Sequence, residues 1–533
     1  DEVVVTGQYT PQKADKSIYD IKVVGKNHIE GKAANNLNDL LSNELSMRTS
    51  LSGVLGSTVS LQGLSGEHVK ILVDGVPVIG RMKGNLDLSQ LNLQNVDHVE
   101  IVEGPMSVVY GSNALAGAIN IITKNDARKK LFLDVNGYYE SVGIYNFDAT
   151  NQFKFGKHNF QVSLNRNFFG GYAEQEDNRV KNLKPKLQYG SDLDYSVQFD
   201  KLKLRYRIEY FDEELRNNGP LLEDFFYRKA FDEYHYTDRL NNKLFMNYKL
   251  NDKIFLEGIV SHSYYNKKKK TTLKDLVTLE EEMIPDSSRH DTTTFSVFLL
   301  RGNMTHLVTE KVEYQVGYDI NLEDGTGKRL GDGKSIDDYA GFFSIKYTPV
   351  EKLSLQPGLR VIHNTKYDAP LVYSFNVLYN PFNNFNARFS YGKGFRSPSL
   401  KELYLNFVDA SHNVQGNENL EAEYADNFNM SYSYKLDLAH KSSLKFENKY
   451  FYNIIQNKID FLYYANDPLR ADMINIDEGD YKTMGTQLKL TYTLHPRLTY
   501  TVGMNKTGSS TFGALDKFTY FTDYTSSFNY KNV

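Results

Sequence analysis

The sequence predicts an all-β transmembrane protein with a separate small α+β domain at its N-terminus. Two observations predict this fold class. From Leu131 onward, segments of about 10 residues alternate apolar and polar side chains, a length and period that cross a bilayer when the strand is tilted. Residues 1–125 differ, because they are rich in Gly, Val and Ile, poor in Tyr, and divided into short strand and helix patterns.

Composition narrows the class of protein further. The 533 residues include no Cys and no Trp but 39 Tyr and 32 Phe, which excludes disulfides and thiolate metal sites. A net charge of -4 provides no strongly basic surface, so it argues against binding to nucleic acid. No run of about 18 apolar residues predicts a transmembrane helix, whereas tilted strands need only alternate apolar residues. A mean hydropathy of -0.51 suits such strands, because the lumen and loops of a barrel are polar.

The N-terminal domain contains one helical turn and several short strands. The pattern of Asn36–Ser42 favours a short helix, and Val69–Val73 is typical of a buried strand that ends in a turn at Asp74. Two more strands are predicted at Val99–Val102 and Ile119–Thr123. Gly and Pro between these two strands predict a tight turn followed by a short helix. Lone histidines in or beside these strands, His28, His68 and His98, are interpreted as structural residues.

The remaining chain alternates predicted strands with two kinds of spacer. Short spacers are typical of tight turns and occur at 156–159, 251–253, 350–352, 380–382 and 495–497. Long polar spacers are predicted to be loops at Gly170–Asp192, Asp212–Asp238, Asn266–Asp291, Asn321–Asp338 and Ser397–Ala425. Short turns on one side and long loops on the other are the asymmetry of an outer-membrane barrel. About eight short turns predict about 18 strands, because such barrels have an even number.

Three segments of the N-terminal domain resemble the plug domain of TonB-dependent outer-membrane receptors. They are Val99–Thr123 (VEIVEGPMSVVYGSNALAGAINIIT), Ser60–Leu64 (SLQGL) and Ile71–Val78 (ILVDGVPV). The resemblance implies a plug at 12–125 inside the lumen of a 22-stranded type of barrel at 126–533. One departure is Gln62, where many members of the family carry arginine, which puts a charge network at that position in doubt. This plug signature, together with the many Asn and Tyr residues in the predicted strands, also resembles receptors of the Bacteroidetes.

The two ends of the sequence lead to further expectations. No signal peptide precedes Asp1, so we expect a mature or trimmed form. The chain ends at Val533, just past a predicted strand and without a terminal aromatic residue. Because an unpaired strand edge is not tolerated in lipid, we expect about four C-terminal strands of a 22-stranded barrel to be missing.

The extreme N-terminus is a candidate partner-binding segment. Glu2, Val3, Val4, Val5 and Thr6 form a short β-prone run that can add a strand to the sheet edge of another protein. The run resembles the TonB box of the family, which implies that residues 1–11 form this box and a flexible N-terminus in the periplasm. The alternative interpretation is an ordinary edge strand.

A plug loop and a barrel loop supply candidate ligand-binding residues. Arg81 and Lys83 can pair with carboxylates or phosphates, and Met82 can pack on an aromatic group or bind a soft metal. The alternative is a solvated loop.

The second loop runs from Gly394 past Tyr404 and His412 to Leu420 and is predicted to join strands 13 and 14. Its FRSP and NENL boxes resemble the FRAP and NPNL boxes of the family. Heme-uptake members carry a histidine between these boxes, which implies a heme-binding role for His412.

The resemblance implies active import and no enzyme, in agreement with the lack of any catalytic motif. TonB would supply the work, and the ligand would be scarce and large: heme or another iron complex first, cobalamin or another metal chelate second. No intrinsic cofactor is expected, since iron belongs to the ligand.

Two other functional classes are a passive porin or adhesin and a structural or secretion-associated barrel subunit. Further expected partners are outer-membrane lipid, lipopolysaccharide at Lys267–Lys270, and a surface lipoprotein that captures ligand.

Overall fold

A computed structural model describes residues 3–54, 56–82, 84–125, 130–175, 178–224, 227–409, 412–476, 479–495, 497–510 and 517–530. Two regions are evident: a small mixed domain up to residue 125, and a large antiparallel sheet that contacts this domain through many of its strands. In the described part of the chain, no helix is both long and apolar enough to cross a membrane.

The N-terminal domain, called the plug below, is built on a mixed five-stranded sheet. Its helices are α1 (Lys26–Gly31), α2 (Leu37–Leu41) and α3 (Ser107–Tyr110). Its strands are β1 (Val3–Val4), β2 (Gln12–Lys13), β3 (Ile21–Gly25), β4 (Met47–Ser52), β5 (Gly56–Leu61), β6 (Leu64–Ser65), β7 (Val69–Val73), β8 (Val76–Pro77), β9 (Val96–Glu103) and β10 (Gly117–Thr123). The central order is β3-β9-β10-β7-β8, and β10 runs parallel to β7. β4, β5 and β6 form a separate sheet.

The predicted plug elements are confirmed. The predicted strand at 69–73 has the bounds of β7, and the two later strands lie within β9 and β10. Helix α2 begins after Asn36, whose side chain accepts a hydrogen bond from the Asp39 amide at 3.1 Å. Ile71, Ile101 and Ile119 are nearly inaccessible to solvent, so these three strands contribute to the core of the plug.

The N-terminal segment differs from the flexible region that the sequence predicts. β1 pairs with β2 through Val3–Lys13 and Val4–Gln12, so the chain folds back on itself before the plug core. Val4 and Thr6 are buried. The physical reason is that an apolar strand at this position finds an apolar pocket in the plug and gains by covering it. Glu2 lies outside the described residues.

The rest of the chain forms one long sheet and a smaller loop sheet. Its strands are β11 (Leu131–Glu140), β12 (Ile144–Phe155), β13 (His158–Phe169), β14 (Lys186–Gln198), β15 (Leu202–Asn218), β16 (Leu222–Asp224), β17 (Tyr227–Lys249), β18 (Ile254–Asp275), β19 (Glu281–Met283), β20 (Asp291–Thr309), β21 (Val312–Gly327), β22 (Gly331–Val350), β23 (Leu353–Asn364), β24 (Val372–Tyr379), β25 (Phe385–Arg396), β26 (Asn406–Asp409), β27 (His412–Gln415), β28 (Glu423–Asp437), β29 (Ser443–Gln456), β30 (Ile459–Tyr464), β31 (Asp467–Asn475), β32 (Tyr481–His495), β33 (Leu498–Ser510) and β34 (Phe518–Tyr530). One helix, α4 (Leu400–Tyr404), precedes β26.

Twenty strands form the long sheet, called the wall, and β26-β27-β31-β30 form the loop sheet. Two of the twenty, β16 and β19, are only three residues long. The strands on either side of each also form hydrogen bonds directly with each other, β15 with β17 and β18 with β20. Eighteen full wall strands remain in the described part of the chain, and the predicted strand count is confirmed. Among the described residues no ladder joins β11 to β34. The four additional strands stay a prediction.

Side chains on the wall alternate between a polar inner face and an apolar outer face. On β13, Gln161 and Ser163 are buried, whereas Val162 and Leu164 are 38% and 55% exposed. The plug covers the inner residues: Gln161 donates a hydrogen bond to the plug residue Asn95 at 2.8 Å. Apolar side chains on the other face suit lipid, as expected for a membrane barrel.

Three of the predicted long loops are largely strand instead. β21 and β22 leave only residues 328–330 between them, β15 and β17 extend far into Asp212–Asp238, and Lys267–Lys270 lie inside β18. Strand pairing continues beyond the part of the wall whose outer face is apolar. Backbone hydrogen bonds still form there, and polar residues can face water on both sides of the sheet. The loop between β25 and β28 is confirmed as the connection between the thirteenth and fourteenth full wall strands.

Candidate functional site

A cavity of about 650 Å³ separates the plug from the external loops. The plug contributes Gly80–Met82 and the segment Tyr110–Asn113, which we call the cavity floor. Wall strands β20 to β23 form its sides, and α4 with the loop sheet forms its outer boundary. The cavity therefore lies where a ligand from outside would meet the plug.

Buried ion pairs make the sides of the cavity rigid. Arg301 and Arg360 both donate to Asp319 Oδ2, at 2.8 and 2.9 Å. Arg396 donates to both carboxylate oxygens of Glu402 at 2.9 and 3.1 Å, and to Glu423 at 2.7 Å. Charge-assisted pairs with two parallel hydrogen bonds fix orientation as well as distance. The pair of Arg396 with Glu402 positions α4 above the plug.

The structure places Arg81 in the cavity lining, but its donors stabilise the plug loop. Its guanidinium donates to the carbonyls of Gly66 and Val69, both at 2.7 Å, and lies 3.3 Å from Glu67. Its side chain is 15% exposed. Arg81 thus shapes the cavity more than it offers a free charge. Lys83, predicted beside it, lies outside the described residues.

Met82 and Lys401 meet across the cavity. The ammonium of Lys401 contacts the Met82 thioether, lies 3.4 Å from the Arg81 carbonyl, and stands 5.2 Å from the ring centre of Phe295. Burial, together with the nearby Lys267, lowers the pKa of Lys401 to about 7. Sequence reasoning missed Lys401 as a site residue. The available signal was the Ser-x-x-Glu pattern at 399–402, which predicts a helix start that carries this lysine.

The described cavity lining does not include His412 or Tyr404. His412 stacks on Phe407, with ring centres 4.7 Å apart, and its Nδ1 lies 2.9 Å from Asp409 Oδ1. Phe407 itself lines the cavity, so His412 stands one ring behind it. Tyr404 packs under Lys334, whose ammonium is 4.2 Å from its ring centre. The structure therefore brings Met82, Arg81 and Phe407 together and leaves these two candidates outside.

A buried carboxylate helps to hold the N-terminal segment against the plug. Glu100 is completely buried and accepts hydrogen bonds from the amides of Val5 at 2.9 Å and Thr6 at 2.7 Å. His98 Nε2 lies 2.9 Å from the same carboxylate. Burial alone would lower the His98 pKa, but hydrogen bonds with Glu100 and Asp97 outweigh it, and the pKa is raised. Val3–Thr6 are therefore folded against the plug.

The three predicted structural histidines each contact a carboxylate. His28 lies 3.1 Å from Glu44, and His68 lies 2.6 Å from Glu423 on the wall. Since His68 belongs to the plug and Glu423 also binds Arg396, this contact joins the plug to the loop that carries α4.

Family comparisons cover nearly the whole chain. Residues 126–532 match a family model described as TonB dependent receptor-like, beta-barrel, and residues 13–118 match the TonB-dependent Receptor Plug Domain. A relative named Vitamin B12 transporter BtuB, from Vibrio cholerae serotype O1, is 25% identical over 442 residues, which is 81% of this chain and 67% of the relative.

Solved structures share the fold. The siderophore receptor PirA from Acinetobacter baumannii aligns with a TM-score of 0.77 at 13% identity, covering 96% of this chain and 84% of that one. PirA from Pseudomonas aeruginosa aligns with a TM-score of 0.68 at 15% identity, covering 95% and 91%. With both family models matched in order, this chain belongs to the TonB-dependent receptors, which are transporters of the outer membrane and not enzymes.

Proposed function

We propose that the protein actively imports a bulky metal chelate, with an iron complex as the first candidate and cobalamin as the second. The observation that carries the proposal is the cavity of about 650 Å³ between the plug and the external loops. A volume of this size suits a ligand larger than a single metal ion. Since the plug fills the space inside the wall, such a ligand needs work to pass.

The family implies TonB as the source of that work. We place its contact at Glu2–Thr6, the TonB box predicted from the sequence. An extended run of β-branched residues can add a strand to the edge of a partner sheet through its main chain. Val3 supports this role, because it is 50% exposed even while the neighbouring Val4 is buried.

Lys401 favours an anionic chelate. The described direct contacts of Lys401 are a carbonyl, a thioether and an aromatic ring, and the nearby carboxylates Asp291 and Glu67 do not offset the burial that lowers its pKa. A ligand carboxylate or phenolate at that point would supply the missing counter-charge. Heme, with two propionates, and carboxylate or catecholate iron chelates fit this requirement. For heme, His412 is the proposed iron ligand, which requires Phe407 to move aside.

Cobalamin is the second candidate, and a different observation favours it. The curated relatives that match over 81% of this chain are named Vitamin B12 transporter. The siderophore receptors resemble this chain in fold at 13 to 15% identity, which supports the architecture and leaves the ligand open. Lipopolysaccharide and a surface lipoprotein stay predictions.

A binding panel on the purified protein tests the proposal. Hemin, ferric enterobactin and cyanocobalamin are titrated separately, each followed by its own absorbance and by calorimetry. We expect one of the three to bind at micromolar concentration or tighter. An anionic iron chelate should bind about tenfold more weakly to Lys401→Gln, because a desolvated charge pair contributes about 1 to 3 kcal/mol.

Lys334→Gln is the matched control, since Lys334 packs on Tyr404 outside the described cavity lining. A Soret shift with hemin that is lost in His412→Ala would assign heme. Tight binding of cyanocobalamin alone would make cobalamin, and not an iron complex, the imported ligand. Failure of all three to bind would reject chelate import.

A further inference from the structure

Tyr110 contacts both regions that import must connect. It ends helix α3, and with Gly111, Ser112 and Asn113 it forms the cavity floor. Its phenol extends in the other direction, where the hydroxyl accepts a hydrogen bond from the Gly7 amide at 3.2 Å. The residue is 7% exposed, so the side chain is enclosed by the plug along this path.

The cavity floor is fixed from several sides. Lys70 donates to the carbonyls of Tyr110 at 2.7 Å and Ser112 at 2.9 Å, which holds this turn in one conformation. The Ser112 hydroxyl lies 2.7 Å from the hydroxyl of Ser397, in the external loop. Because Tyr110 belongs to the floor, a ligand or loop movement that displaces the floor would also move the Tyr110 ring.

Gly111 shows how closely the floor packs against the wall. Its φ is +73°, and a Cβ atom added there would lie 2.8 Å from Arg360 Nη2. Arg360 is held in turn by Asp319. Movement of the floor toward Arg360 is therefore blocked, and a movement away from Arg360 would carry Tyr110 with it.

The N-terminal segment depends on three plug side chains at its inner end. Glu100 accepts from the Val5 and Thr6 amides, Tyr110 accepts from Gly7, and the Thr6 hydroxyl accepts from Asn120 at 2.9 Å. Helix α3 therefore meets the segment through the phenol of its last residue. Loss of the Tyr110 contact leaves the Gly7 amide without that acceptor and weakens the closed segment.

We propose that Tyr110 is a positioning residue that couples the cavity floor to the N-terminal segment. Displacement of the floor withdraws the phenol from Gly7 and frees Val3–Thr6 for strand addition. The inference rests on the proposed function in one respect, namely that TonB is the partner that would bind the released segment. The contacts of Tyr110 with the floor and with Gly7 are the same whether or not the ligand is a metal chelate.

A single introduced thiol can measure the release without any ligand. The chain contains no Cys, and Val4 is completely buried, so Val4→Cys supplies one protected thiol. Its rate of alkylation by a maleimide reports how often the segment opens. Tyr110→Phe, made in this background, removes only the hydroxyl. We expect it to raise the alkylation rate about fivefold, the effect of one lost hydrogen bond.

Tyr19→Phe is the matched control. Tyr19 belongs to the same apolar cluster, but its hydroxyl accepts from Gln356 of the wall at 3.3 Å. Its substitution should leave the alkylation rate unchanged. An unchanged rate in Tyr110→Phe, or an equal rise in both variants, would overturn the proposal.

A cavity-side variant tests the coupling itself. Gly111→Ala pushes the floor away from Arg360 and should raise the alkylation rate of the introduced thiol when Tyr110 is present. In the Tyr110→Phe background it should add little, because both changes act through one contact. Ser112→Ala, which frees the floor from Ser397, is a second variant that keeps the test valid if Gly111→Ala does not fold. If the separate effects simply multiply, Tyr110 does not transmit the movement.

The two proposals fail in different experiments. A panel in which no chelate binds rejects chelate import and leaves the alkylation result standing. An alkylation result without the Tyr110 effect rejects the coupling and leaves ligand binding standing.

Discussion

Asp74 shows how single charged residues attach the plug to the wall. Its carboxylate follows β7, lies 3.1 Å from Arg205 of β15, and accepts hydrogen bonds from the amide and hydroxyl of Thr123. Burial alone would raise its pKa, but Arg205 and Arg207 outweigh that effect and lower the Asp74 pKa to about 2. The ion pair therefore joins two regions that are about 130 residues apart in the chain.

We expect Asp74→Asn to loosen the plug. Removing one partner of a buried ion pair leaves the other charges uncompensated and costs about 3 to 5 kcal/mol. Cleavage of the plug by trypsin should become faster, while the exposed control Asp15→Asn should be cleaved at the unchanged rate.

The same contact predicts acid sensitivity. A lowered pKa gives stability that is present above the ordinary Asp pKa near 4 and is lost as the pH falls toward about 2. Asp74→Asn should remove that part of the pH dependence. Equal acid sensitivity in the variant would contradict the assignment.

His98 predicts an opposite pH dependence for the N-terminal segment. Its pKa is raised by Glu100 and Asp97 against the effect of burial, so protonated His98 stabilises the Glu100 carboxylate that holds Val5 and Thr6. This contribution is complete below the ordinary His pKa of about 6.5 and is lost as the pH rises through the raised value. Alkylation of the thiol introduced by Val4→Cys should therefore accelerate above neutral pH.

The alkylation rate must be separated from ionisation of the thiol itself. Rates are divided by those of the urea-unfolded protein at each pH, which removes the intrinsic reactivity. His98→Gln should then show no pH dependence, whereas His28→Gln should retain it. A normalised rate that does not change with pH in the parent would refute the role of His98.

At the scale of elements, helix α4 depends on its first residues because it is only five residues long. Ser399 and Glu402 form a reciprocal capping box, and Arg396 binds the same Glu402. This short helix carries Lys401 into the cavity, so its cap determines where that charge stands.

Ser399→Ala should loosen α4 without unfolding the protein. Loss of a cap costs about 1 kcal/mol, so hydrogen exchange at the Glu402 to Leu405 amides should become about fivefold faster. Amides of α2 serve as the internal control, and Ser442→Ala, in a turn between wall strands, serves as the matched variant. Unchanged exchange in α4 would show that Arg396 alone fixes the helix.

Periodicity predicts most strands but not where the hairpins end. The wall count of eighteen follows from the short turns, because Pro, Asn and Gly mark them in the sequence. The outer part of the β21–β22 hairpin has the composition of a loop, because Asp, Glu and Gly are common there, and yet it is paired strand. Polar strands outside the lipid lack the apolar alternation that identifies a strand by sequence.

For the whole molecule, removal of residues 2–7 should separate binding from import. The segment contacts the cavity floor through the Tyr110–Gly7 hydrogen bond, and coupling between two sites is reciprocal. Ligand binding should therefore survive, and affinity should rise by no more than about fivefold, the effect of one lost hydrogen bond. Uptake by cells should be lost, since TonB would have no strand to pair with. Ligand binding is measured on purified protein and uptake with labelled ligand in cells.

A single substitution provides a milder version of this experiment. Val3→Pro removes one amide donor from an exposed position and should impair uptake, whereas Val3→Ala keeps the donor and should not. Full uptake after removal of residues 2–7 would contradict the assignment of this segment as the TonB contact, whereas no ligand uptake by the intact protein would favour the structural or secretion-associated barrel.

The sequence by itself determined the architecture of this protein. Alternation, turn residues and the plug signatures are local properties, so they predict the wall, its strand number and the plug strands without knowledge of contacts. They also single out Arg81 and Met82, which lie in the plug loop that lines the cavity. Only the tertiary structure decided the site: Lys401 over Met82, His412 behind Phe407, and Glu100 with Tyr110 on the N-terminal segment. Each of these contacts joins residues whose meeting depends on how the plug packs inside the wall, and no local pattern records that packing.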